Sequence, residues 1–262
     1  MNLLKITIIF LLSIIPVIHG AAASDADPGE IELSELVAQS QDLGVNHEQG
    51  ELLTVAATKG KLHAIKLLLS KGISMESRDS FRNTPLAAAS YYGHLDIAQF
   101  LLDNGANIEA VDIVGNTPLI SAAGQGKYKM IRFLISRGSK INAQAGNGRT
   151  ALSRSVPYYP HTFSVYSDTA RVLLRAGADI SLKDVLGQTA LDFARNKNFP
   201  LEQLIAEEKD RKEAYRKAVS AQLKLKVVAG CKLDEIALAD IIMGYAEEPI
   251  TPPMDWEIGN KV

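Results

Sequence analysis

A fixed 33-residue step constrains this 262-residue chain more than any other feature. Thr84-Pro85-Leu86 recurs as Thr117-Pro118-Leu119 and again as Thr150-Ala151-Leu152, and a fourth copy, Thr189-Ala190-Leu191, arrives six residues late. Gly60, Gly93 and Gly126 keep the step, as do Gly72, Gly105 and Gly138, with Gly177 displaced by the same six. Glu51-Leu52-Leu53 is a degenerate first copy in the same phase. Self-similarity at this period marks a stack of one supersecondary unit, in which each copy completes its neighbour's core.

The unit can be read physically. Threonine followed by proline supplies a hydroxyl cap and a preset φ at a helix start, and the Leu-x-x-Ala that follows makes a small apolar ridge. A glycine then ends the short helix and permits a tight reversal. A second helix brings apolar runs, Leu67-Leu68, Phe100-Leu101-Leu102, Phe133-Leu134-Ile135 and Val172-Leu173-Leu174, and a second glycine ends it. Polar segments such as Asp112-Ile113-Val114-Gly115-Asn116 and Asp184-Val185-Leu186-Gly187-Gln188 join one unit to the next. Asp112 and Asp184 recur at one position and read as turn formers.

Period, Thr-Pro-Leu start, paired helices, two glycines and an intervening finger together resemble ankyrin repeats. The resemblance covers about residues 51–205 and implies an all-α solenoid of helix-turn-helix units with β-hairpin-like fingers. The units fall at 51–83, 84–116, 117–149, 150–188 with an insertion, and 189–205 as a partial copy. Where the family commonly places histidine after Thr-Pro-Leu, this chain has Ala87, Ile120, Ser153 and Asp192. Loss of the family's imidazole hydrogen bonds implies weaker individual repeats. Residues 24–50 form a linker and an N-terminal capping helix, with Ile31, Leu33, Leu36, Val37 and Leu43 covering the edge of the stack.

Residues 206–262 leave the pattern. Ala206 to Val228 reads as an exposed helix with Glu208–Lys212 and Glu213–Lys217 pairs at i,i+4. It is either a solvated cap or a partner-binding element. A shorter helix over 234–243 and a proline-containing tail follow.

Residues 1–23 have the form of a secretory signal. Lys5 precedes an apolar run from Ile6 to Ile18 that is too short to span a bilayer comfortably, and Ala21-x-Ala23 offers a small-residue cleavage site. An uncleaved membrane anchor is the competing reading. Cys231, the single cysteine, allows no internal disulfide, which suits a bacterial periplasmic solenoid. It is either buried and inert or available for an intermolecular disulfide. Net charge is −2, one unit more negative without Lys5. That balance argues against nucleic acid as the main ligand.

The resemblance implies that a partner binds the concave surface built from finger tips and first-helix ends. Residue by residue this selects Phe81 and Asn83 beside Ser80 in one finger, Ile113, Val114 and Asn116 in the next, and Tyr91 and Tyr92 at a first-helix end. Tyr158, Tyr159, Phe163 and Tyr166 fall at or within the six-residue interruption. Five of the chain's eight tyrosines lie on this rim, and tyrosine supplies large contact area with a polar tip at small entropic loss. Packing between repeats is the competing role for some of them. Arg78, Asp79 and Arg82 would add a polar edge.

Catalytic chemistry finds no constellation in the sequence. His19, His47, His63, His94 and His161 are dispersed, no cysteine cluster exists, and no phosphate loop or nucleophile elbow appears. The expected activity is therefore non-enzymatic binding of a protein partner by a monomer, without cofactor, metal or nucleic acid. Membrane contact would come only through the leader. Sequestration or protection of the partner, as an immunity or inhibitor protein does, is the leading role. A secreted effector acting on a host protein and an enzyme with a C-terminal site are the alternatives.

Overall fold

Each Thr-x-Leu triplet starts a helix by the expected means. Thr84 and Thr117 are extended at the backbone, and their hydroxyls accept the N–H groups of Ala87 at 3.2 Å and Ile120 at 3.3 Å. Pro85 and Pro118 take the first helical position, where no backbone donor is needed. Thr150 and Thr189 cap in the same way and add a reciprocal bond. Ser153 Oγ accepts the Thr150 N–H at 3.0 Å, and Asp192 Oδ2 accepts the Thr189 N–H at 2.8 Å. These bonds replace, in two repeats, part of the hydrogen bonding expected to be lost with the family's histidine. Two of the four substitutes close a capping box, and the other two, Ala87 and Ile120, are buried in the core.

A computed structural model describes residues 28, 31, 49–157, 159 and 162–228. Among them are ten α-helices in five pairs. These are α1 Gln49–Thr58 with α2 Leu62–Ser70, α3 Pro85–Tyr92 with α4 Leu95–Asp103, α5 Pro118–Gly124 with α6 Tyr128–Ser136, α7 Ala151–Arg154 with α8 Phe163–Arg175, and α9 Ala190–Lys197 with α10 Leu201–Val228. No strand occurs among the described residues, only an isolated bridge between Gln144 and Thr150. No described helix is long and apolar enough to cross a membrane. The expected leader at 1–23, most of the N-terminal cap, Tyr158, His161, Cys231 and the helix over 234–243 lie outside the described residues.

The repeat continues into the core as rows of equivalent side chains. Leu53, Leu86, Leu119 and Leu152 form one row from the first helices, and Leu68, Leu101, Leu134 and Leu173 form another from the second; all are at most 1% exposed. Ala56, Ala89 and Ala122 line a third row, where small side chains let neighbouring first helices approach closely, and Ser155 and Ala194 continue it. Burying a leucine contributes about 2 kcal/mol, and no helix pair provides that burial alone.

The C-terminal extension begins inside the last pair. α10 runs unbroken from Leu201, with no boundary at residue 206. Leu201 and Leu204 are buried, and Phe199 meets Phe163 edge to face at 5.4 Å. The expected Glu208–Lys212 pair is replaced: Glu208 turns inward and its carboxylate meets Arg175 at 3.0 Å and Arg211 at 2.7 Å. The reason is packing, since this side of α10 lies against α8, where Arg171 also reaches Glu207 at 3.1 Å. The Glu213–Lys217 pair forms on the open side at 2.8 Å. The first turns of α10 therefore cap the stack, and most described side chains beyond Arg211 are exposed.

Candidate functional site

The fingers are closed by their own aspartates. Asp79 accepts from the N–H groups of Phe81 and Asn83 and from the Asn83 amide, at 2.9, 2.8 and 3.0 Å. Asp112 repeats the set with Val114, Asn116 and the Asn116 amide at 2.9, 2.8 and 2.9 Å. Asp184 does the same with the N–H groups of Leu186 and Gln188. These are the turn-forming bonds that a recurring aspartate implies. Asn83 and Asn116, selected from the sequence as partner contacts, spend their amides on this closure, and Asn116 is only 8% exposed.

Successive fingers are laced together. The N–H groups of Ile113, Gly146 and Val185 donate to the carbonyls of Phe81, Val114 and Asn147 at 2.9, 2.9 and 3.1 Å. Arg78 Nη1 donates to the carbonyls of Arg82 and Val111, and the Gln144 amide makes the equivalent bonds to Gly148 and Lys183. Arg78 and Asp79 are thus committed to finger structure rather than to a free polar edge. Close stacking also fixes the fourth finger position. A Cβ on Gly115 would lie 2.5 Å from Gly146 N, and one on Gly148 would lie 2.8 Å from Asp184 Cα. Both glycines have positive φ.

With the finger backbones paired, their tips point outward. Phe81, Ile113 and Val114 are 66%, 60% and 58% exposed. Across from them Tyr91 and Tyr92 end α3, also exposed, with ring centroids 5.0 Å apart. Tyr92 stacks on His94 at 6.3 Å. All five of these predicted residues, with Asn83 and Asn116, line one open groove of about 520 Å³ between fingers and first helices. Ala88, Ser121 and Arg154, one position in three successive repeats, form part of its floor.

The residues at the interruption take different places. Tyr159 is exposed but outside that lining. Phe163 is half-buried against Phe199 and the core. Tyr166 is half-buried, and its hydroxyl donates to the Gly124 carbonyl at 2.8 Å. Burial pushes the Tyr166 phenol up, with nearby Tyr91 adding to the shift and Arg154 opposing it. Phe163 and Tyr166 therefore hold repeats together. His94 does likewise: it stands at the N-cap of α4 without a side-chain capping bond, and its Nε2 lies 3.1 Å from the Thr58 carbonyl of the preceding repeat.

Two features of this face escape the sequence reading. Val185 and Leu186, 71% and 77% exposed, occupy the fourth finger at the positions of Ile113 and Val114 two repeats earlier, so the repeat register itself marks them. Arg154 is the other, and its place beside Gly124 has no sequence signal. Among the described residues no three His, Cys, Asp or Glu side chains gather as metal ligands would.

A family model described as ankyrin repeats (3 copies) matches residues 18–112 and again residues 104–184. No curated protein matches the chain. The matched span stops at the fourth finger, yet the threonine cap and buried alanines continue in α9 and buried leucines at the start of α10. With well over half of its length matched, and helix pairs, stacked fingers and leucine rows all in register, this chain belongs to the ankyrin-repeat family, whose repeats serve as protein–protein interaction modules.

Proposed function

We propose that the chain is an exported binding module that holds a partner protein in the groove between its first two fingers and α3, sequestering or protecting that partner in the periplasm. One observation carries the docking face: Phe81, Ile113 and Val114 project apolar surface from fingers whose backbones are already paired, and they face Tyr91 and Tyr92 across the groove. Folding does not require that exposure. Contiguous apolar surface rimmed by polar groups marks an interaction site, and aromatic side chains dominate the energetics of such sites.

Export rests on the apolar run Ile6–Ile18 and the small residues at Ala21 and Ala23. An immunity or inhibitor role follows from a binding face placed in that compartment, and the module acts as a monomer. A pull-down from periplasmic extract with wild type and with a Phe81→Ala, Tyr91→Ala, Tyr92→Ala variant tests the face. Loss of one abundant partner with the variant is the expected result. Equal recovery by both proteins removes this groove from consideration. N-terminal sequencing of the processed protein tests the leader, which should end after Ala23.

A further inference from the structure

The groove carries one charge that the fold leaves unused. Arg137, Arg149, Arg171, Arg175, Arg195 and Arg211 each meet an Asp or Glu carboxylate. Arg154 meets none among the described residues, and its Nε is buried without a hydrogen-bond partner. It ends α7, where the two preceding repeats have Ala88 and Ser121, so it is the long cationic member of an otherwise small row. Space for it comes from Gly124, which stands one repeat on from Tyr91; Arg154 Nε lies 3.7 Å from the point where a Gly124 Cβ would be.

The acids that share the groove, Asp79 and Asp112, form no ion pair with Arg154 and are turned to their own fingers. Asp79 and Asp112 each already accept three bonds from their own finger, of about four that a carboxylate can take. Arg154 lines the groove half-buried and without an ion-pair partner, its Nε enclosed by protein, and a carboxylate arriving from solvent meets the terminal guanidinium nitrogens with charge-assisted, often bidentate bonds.

We infer that the partner reaches this groove with an acidic segment, placing an Asp or Glu side chain on Arg154 and a neighbouring aromatic or aliphatic side chain between Tyr91 and the finger tips. The inference rests on the docking face proposed above and adds the chemistry of what enters it. An internal segment fits better than a chain end, because the groove is open and presents a single unpaired cation.

The test uses the full chain and a random twelve-residue peptide library displayed on phage. Selected peptides should share an Asp or Glu beside an aromatic or aliphatic residue. A synthetic peptide of that sequence should bind Arg154→Gln at least about tenfold more weakly than wild type, with Arg154→Lys between them and thermal unfolding unchanged. Its affinity should also fall as salt is raised. Peptides that need Tyr91 and Phe81 but carry no acid and bind Arg154→Gln equally would overturn the carboxylate inference and leave the groove intact. Selections that yield no binder sensitive to Phe81, Tyr91 or Val114 would overturn both.

Discussion

At the fourth position of each finger the backbone is left-handed, with φ of 61° at Arg82, 82° at Gly115, 77° at Gly148 and 75° at Gly187. Three fingers meet the demand with glycine; the first uses arginine. A left-handed conformation costs a side-chain-bearing residue about 1–2 kcal/mol. Replacing Arg82 by glycine removes that strain but restores roughly 0.5–1 kcal/mol of unfolded-chain entropy, so Arg82→Gly should stabilise by about 0.5–1 kcal/mol. Nothing opposes the gain, since the bonds of this finger run through the Arg82 backbone and the Asp79 carboxylate. Gly115→Ala should have the opposite sign. It adds the same left-handed strain and drives a Cβ to 2.5 Å from Gly146 N, where a backbone must move, so a loss of about 2–3 kcal/mol follows. Urea unfolding followed by far-UV circular dichroism reads both. At a slope of about 2 kcal/mol per molar, the midpoint rises by about 0.3–0.5 M for the first variant and falls by more than 1 M for the second. A destabilised Arg82→Gly, or a neutral Gly115→Ala, would refute the view that close finger stacking in the left-handed register sets this position.

Other elements give equally direct tests. Glu208→Gln leaves Arg175 and Arg211 without their shared anion, and because both arginines are partly exposed the cost should be about 1 kcal/mol, seen as a lower thermal midpoint and faster amide exchange in α10. Tyr166→Phe deletes the bond to Gly124 and should cost about 1 kcal/mol in urea unfolding, whereas Tyr91→Phe should be neutral; equal effects would deny Tyr166 its role between repeats. Asp192 is held below its ordinary value of 3.8 by the Thr189 backbone bond first and the Thr189 hydroxyl second. A depressed carboxyl stabilises above its unfolded value and loses that contribution as pH falls through the folded one. Wild type should therefore destabilise on acidification below about pH 4 more steeply than Asp192→Asn, as thermal melts from pH 7 to pH 2 would show.

The fold is legible in the sequence because repetition turns weak local signals into phased ones. A single Thr-Pro-Leu is a modest helix start, but two of them and two Thr-Ala-Leu copies, the last displaced by six residues with its glycine, determine helix pairs, caps and leucine rows together. The apolar finger tips and the α3 tyrosines were legible for the same reason. What escaped depends on which atoms a side chain finds in three dimensions. Asn83 and Asn116 look like surface amides, yet each is fixed to an aspartate four residues earlier. Phe163 and Tyr166 look like loop aromatics, yet one packs on Phe199 and the other bonds the preceding repeat. Glu208 satisfies a helix-pair rule on paper, but the neighbouring helix offers it Arg175 first. Arg154 carries no pattern, because its importance comes from a missing partner.

The six-residue interruption shows how the stack tolerates change. Glu76 accepts the N–H of Asn107 and Glu109 that of Lys140, each across one repeat; Asn142 accepts that of Asp179 across the longer one. The finger bonds of Arg78 and Gln144, and the contacts of His94 with Thr58 and Tyr166 with Gly124, lengthen in sequence by the same six residues without changing partners in space. All the extra length is therefore absorbed between the start of α7 and Tyr166. There α7 is reduced to four residues, and α8 gains a turn at its start, 13 residues against nine in α2, α4 and α6. That added turn places Phe163 on Phe199 and so joins the insertion to the last repeat. The shortened α7 leaves Arg154 as its last residue, beside the groove. An insertion that keeps these inter-repeat bonds while shortening one first helix alters the rim of the concave face, the place where a repeat protein can change what it binds without changing how it folds.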